Sequence, residues 1–125
     1  MLDLPLQKYY RTDMPLTLKQ RKHLRTLAHP ARPVVIIGQQ GLTENISREV
    51  DQALEYHELV KVRVNAEDRD ARMLIIETLL SAVGAELVQR IGHIAVLYRR
   101  NRRKTKIDFP GNQPPRRKQS WQKSH

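Results

Sequence analysis

Residues 32–43 read RPVVIIGQQGLT, and this stretch decides the fold class. Val34, Val35, Ile36 and Ile37 make a short, wholly apolar run, the pattern of a strand covered on both faces or placed at a sheet's centre. The run stops at Gly38. Gly38-Gln39-Gln40-Gly41 then sets two glycines three apart, which permits a tight turn and leaves the main chain unshielded by Cβ atoms. Thr43 follows in the position of a helix N-cap. Strand, bare turn and helix in direct succession are the first half of a strand–helix–strand crossover, so the expected class is α/β.

Elements of the same kinds extend on both sides. Thr17 and Gln20 fit a capping box opening a helix that ends at Leu27 or Ala28, before Pro30. Beyond Thr43, the residues Ile46, Val50, Ala53, Leu54 and His57 recur at helical spacing. Val60, Val62 and Val64 then alternate with Lys61 and Arg63, a half-exposed strand. The acids Glu67, Asp68 and Asp70 suit the positive end of a third helix. Its stripe runs through Ala71, Leu74, Ile75, Leu79, Ala82 and Val83, and Gly84 is its natural terminator. Finally Glu86–Ile91 and Ile94–Arg99 flank Gly92-His93, a two-residue hairpin signal. The order α-β-α-β-α-β-β predicts a single small domain built as one four-stranded mixed sheet with packed helices.

The chain has 125 residues, with 23 Lys+Arg against 13 Asp+Glu and a net charge of +10. The excess is local. Residues 1–33 carry seven basic and two acidic side chains, 34–98 carry six and ten, and 99–125 carry ten and one. Residues 1–15, with Pro5 and Pro15, read as a loose arm in which Tyr9 and Tyr10 could dock. Residues 101–125, with three prolines and dense like charge, read as a basic disordered tail too poor in apolar surface to offset chain entropy. That leaves residues 16–100 as the folded unit. The absence of Cys excludes disulfides, Cys-based zinc and a thiol nucleophile. No apolar run approaches a membrane span of ~20 residues, and no signal-peptide core follows Met1, so a cytoplasmic protein without a membrane partner is expected. Clustered positive charge points to a polyanion.

The turn at Gly38–Gly41 is where such a partner would meet the main chain, because N–H groups and a helix N-terminus favour phosphate. It lacks the Gly-Lys-Ser/Thr of a nucleoside-triphosphate loop and the G-x-G-x-x-G of a dinucleotide site. A clamp on a nucleic-acid backbone also accounts for the charge. Lys19, Lys22 and Arg25 on the first helix, with Arg21 and His23 nearby, and Arg32 before the strand carry positive charge with no acid among them. Arg99, Arg100 and Arg103 extend the field into the tail. No catalytic, metal or cofactor site is expected. The histidines lack ligand spacing, His57 falls on a core stripe, and Glu67, Asp68 and Asp70 suit helix capping with Arg69 and Arg72 interleaved. With Tyr98 the sole aromatic on a strand, readout by base stacking is expected to be small and phosphate contact dominant.

The segments Leu27–Pro30, Arg32–Val35 and Ile37–Thr43, continued by His57–Val62, Gln89–His93 and Leu97–Arg99, resemble the YhbY-type chloroplast RNA splicing and ribosome maturation (CRM) domain over residues 16–100. The resemblance implies an RNA-binding α/β domain similar in fold to the C-terminal domain of the third bacterial translation initiation factor. It further implies association with ribosomal RNA and precursors of the large ribosomal subunit, with Gly38, Gln39, Gln40 and Gly41 as the RNA-gripping loop and a basic surface on the first helix. In this family the middle of the loop is often small or basic. Gln39 and Gln40 leave more of the contact to the backbone. A monomer is expected. The alternatives are an architectural DNA-binding protein using the basic helix and tail, and a protein-docking module using the acidic middle.

Overall fold

The computed structural model describes residues 16–101, 107 and 109. The expected arm at 1–15, Arg103 and most of the expected tail lie outside the described residues. Helix α1 spans Leu18–Ala28, strand β1 Val35–Ile37, α2 Glu44–His57, β2 Leu59–Val64, α3 Arg69–Val83, β3 Glu86–Ile91 and β4 Ile94–Tyr98. The α-β-α-β-α-β-β order and the four-stranded mixed sheet are those expected.

Local chemistry sets most of the boundaries. Thr17 Oγ1 accepts from the Gln20 N–H while Gln20 Oε1 accepts from the Thr17 N–H, a reciprocal capping box. Thr43 and Asp68 accept from the Ile46 and Ala71 N–H groups to start α2 and α3. Each such cap stabilises its helix by about 1 kcal/mol. Gly84, at φ 68°, ends α3 in the left-handed region where a side chain would be strained.

The strand order is β1-β2-β4-β3. β1 and β2 are parallel, with Ile36 opposite Arg63, and both remaining pairs are antiparallel. This corrects the expectation for Val34–Ile37. The run is an edge strand of three residues, not a central one, and Val34 and Ile36 are exposed. Only Val35 and Ile37 point into the core.

Alternation divides the sheet into two faces. One, bearing Val35, Ile37, Val60, Val62, Val64, Ala95 and Leu97, packs with Val50 and Leu54 of α2 and Ile76, Leu79 and Val83 of α3. On the other, Val88, Val96 and Tyr98 pack under Leu24 and Ala28 of α1. Ile107 and Phe109, expected in the loose tail, join this second cluster. Phe109 meets His23 and Tyr98 edge-on, each at 5.8 Å between ring centroids. Through these two apolar side chains the chain beyond β4 returns to the domain. His57 and Leu74, expected on core stripes, are exposed.

Glu58 anchors that return. It follows α2 at φ 67°, an unusual conformation for a residue with a side chain. Its N–H donates to the Leu54 carbonyl and its own carbonyl accepts from the Arg99 N–H. Its fully buried carboxylate accepts from the N–H groups of both Asn101 and Ile107.

Candidate nucleic-acid interface

Strand directions sort the predicted residues into two ends of the sheet. β1 and β2 are parallel, so the Gly38–Gly41 turn and Asn65 leave the sheet at one end. There the Asn65 N–H donates to the Ile37 carbonyl. β4 runs antiparallel to β2, which brings the Gly92-His93 turn to the same end, where the Val64 N–H donates to the His93 carbonyl at 2.7 Å. Arg32, Glu58, Arg99 and Arg100 occupy the opposite end.

The turn is accessible. Gln39 and Gln40 are exposed, and Gly38 and Gly41 half-buried. The Gly41 N–H donates to the Gly38 carbonyl at 3.0 Å, closing a four-residue turn. The N–H groups of Gln39 and Gln40 make no hydrogen bond among the described residues. These donors sit just before the N-terminus of α2, where positive potential is highest.

The two glycines have different reasons to be there. Gly41 has φ +82°, which favours glycine on conformational grounds alone. Gly38 has no such φ, and a Cβ built on it would meet only Gln40 Oε1 at 3.6 Å, an ordinary contact. Folding does not require glycine at position 38.

The cations divide as well. Lys19 and Lys22 are exposed on the outer face of α1, Arg25 is half-buried, and Arg32 is exposed in the connection to β1. Arg32 precedes β1 and Gly38 follows it, so the two lie at opposite ends of that strand. Arg100 is exposed. Arg99, expected in the binding field, is only 7% exposed. Its guanidinium bonds the Asp51 carboxylate at 2.7 Å, the Glu55 carboxylate at 3.1 Å and the carbonyls of Val83 and Asp51. It is a structural pin between β4 and the two helices, and no phosphate can reach it without breaking that network. Arg21, likewise, donates to the Leu87 carbonyl. Tyr98 is 6% exposed, so it offers no stacking face; burial, with the Glu58 charge beside it, pushes its hydroxyl up to about 12.

Arg63 is the functional candidate that the sequence reading left unassigned. It is exposed, pairs across the ladder with Ile36, and donates from Nε to Asn65 Oδ1 at 2.9 Å. That places it beside the turn, much nearer than Arg32. Its signal in the sequence was only its alternation in Val60–Val64. Among the described residues no group of acids and histidines could hold a metal ion, and no helix is long and apolar enough to cross a membrane.

Residues 16–99 match the model of the CRS1/YhbY (CRM) domain family. A Haemophilus influenzae protein named an RNA-binding protein is 45% identical over 95 residues, covering 76% of this chain and 95% of the relative. A Bacillus subtilis protein named a probable RNA-binding protein, YqeI, is 34% identical over 95 residues, covering 76% of this chain and 99% of the relative. The solution structure of a hypothetical protein from Staphylococcus aureus, described as a candidate RNA binder, is similar with a TM-score of 0.67 and 41% identity, over 77% of this chain and all of that one.

Proposed function

The chain belongs to the CRS1/YhbY (CRM) domain family, and from that premise we propose that it is a non-catalytic RNA-binding protein of the cytoplasm. Its partner is ribosomal RNA in precursors of the large ribosomal subunit, whose assembly it assists. The Gly38–Gly41 turn grips the sugar–phosphate backbone through the Gln39 and Gln40 N–H groups. Lys19, Lys22, Arg25, Arg32 and Arg100, set back from the turn, supply positive potential over the rest of the RNA, and Arg103, outside the described residues, adds to the net charge.

The observation that carries this reading is Gly38, a glycine with ordinary φ and room for a side chain. A residue kept bare where the fold does not demand it suits a site where another molecule's backbone approaches closely. The names of the relatives fit the same ligand class.

Binding carried by phosphates is salt-dependent. With about six phosphates neutralised, the slope of log K against log salt on single-stranded RNA is expected near −4. A slope near zero contradicts the proposal. In one titration, structured ribosomal RNA should displace the protein from duplex DNA; the reverse order favours an architectural DNA-binding role. Sedimentation of a lysate should place the protein with large-subunit precursors, and its absence from every ribosomal fraction removes the assembly role.

A further inference from the structure

Helix α1 covers only half of its face of the sheet. Its first turns meet β3, where Arg21 donates to the Leu87 carbonyl. Its C-terminal end stops over β2, where Lys61 Nζ donates to the His29 and Ala31 carbonyls at 3.2 and 2.9 Å. The helix therefore lies over the cross-strand rows of Tyr98 and Val96. The next row, toward the turn, is Ile36, Arg63, Ile94 and Ile91, one residue from each strand in continuous register. No helix among the described residues lies on it. Ile36 is 60% and Ile91 58% exposed, and Ile94 is half-buried.

We propose that this row is a shelf for unpaired nucleobases of a single RNA strand whose backbone lies on the Gly38–Gly41 turn. The inference rests on the RNA-binding reading and adds where the bases go. Three observations select this occupant. First, the aliphatic row is contiguous across the four strands, whereas among the other exposed apolar residues Leu18, Leu27, Tyr56 and Leu74 lie on helices and Val34 stands just before β1. Second, Arg63 stands within the row with its Nε held by Asn65 Oδ1, and no carboxylate among the described residues pairs with it. A guanidinium plane so held can stack on a base, and its charge suits a polyanion. Third, the row is continuous with the turn, since Gly38 follows Ile37, whose carbonyl accepts from the Asn65 N–H.

A protein partner fits less well. Three aliphatic side chains around an unpaired cation fall far short of the roughly 800 Å² per partner that a stable protein interface needs. Across four strands the row is about 14 Å long, room for two or three bases.

The test compares full-length protein binding to a uridine-only RNA oligomer and to its abasic counterpart of equal length. The two probes share phosphates and differ in bases. The wild type should prefer the base-bearing oligomer by about tenfold, the scale of one stacked base. Ile36→Ser and Arg63→Gln, both at exposed positions, should bring that preference close to one. Ile36→Ser should leave abasic affinity unchanged, and Leu74→Ser on α3 should leave both affinities unchanged. Equal wild-type affinity for the two oligomers, or a preference that survives both shelf variants, overturns the shelf while RNA binding stands. Failure of the wild type to bind either oligomer overturns both.

Discussion

The two ends of the sheet hold their cations in opposite ways. At the end near Glu58, Arg99 is enclosed by Asp51, Glu55 and the Val83 carbonyl. Lys61, midway along β2, caps the carbonyls at the end of α1. At the turn end, Arg63 has one amide partner and lies open beside main-chain donors. Counting positive charge along the chain does not separate these groups. What separates them is the supply of acceptors around each: a cation surrounded by carboxylates and carbonyls folds the chain, and one left among aliphatic side chains is available to a ligand.

The largest effect should come from breaking the enclosed end. Arg99→Ala removes a buried cation from its carboxylates and orphans the Val83 carbonyl, at a cost of about 3 kcal/mol. For a domain of this size that lowers Tm by 10 °C or more, at roughly 4–8 °C per kcal/mol. Thermal unfolding followed by circular dichroism should show this loss. The fraction still folded should bind RNA as the wild type does, whereas Arg63→Gln should do the reverse, keeping Tm and weakening binding. If the two variants swap phenotypes, the division of roles is wrong.

A smaller loss is expected at the buried carboxylate that holds the returning segment. Glu58→Ala leaves the Asn101 and Ile107 N–H groups without their acceptor, a cost of about 2 kcal/mol. The urea midpoint should fall accordingly, and exchange protection at the Ile107 amide should vanish. Retained protection would mean that Phe109 docking, not Glu58, secures the segment.

The smallest effect probes how dry the covered half is. Tyr98 has its hydroxyl pushed from 10 up to about 12, first by burial and then by Glu58. The folded state thus keeps its proton where the unfolded state has lost it. The contribution of Tyr98 to stability is fully present below pH 10 and is lost as pH rises through about 12. Tyrosinate absorbance of Tyr98→Phe against wild type isolates this late titration. A Tyr98 midpoint near 10 would mean that water reaches the face beneath α1.

Much of the fold was legible because its signals are local. The Thr17–Gln20 box, Thr43, Asp68, Gly84 and Gly92-His93 each act over a few residues, and each stands where its side chain or backbone freedom dictates. Strand order is not local. Val34–Ile37 reads as a buried strand, yet β1 is an edge because β4 pairs with β2 on its other side. Other long-range contacts bury Tyr98 and Arg99 and hold Ile107 and Phe109 against the α1 side of the sheet. Of the expected interface, the turn was legible from its glycines. The position of Arg63 beside that turn was not, since it depends on a register with Ile36 that only the folded sheet supplies.

The central claim is that ligand approach, not folding, keeps position 38 bare, and Gly38→Ala tests it most directly. A methyl group there meets only Gln40 Oε1 at 3.6 Å, so the variant should match or slightly exceed wild-type Tm. Measured side by side, its RNA affinity should fall by about tenfold, as expected when a backbone–phosphate approach is obstructed. Unchanged affinity in a fully folded Gly38→Ala protein would contradict the account.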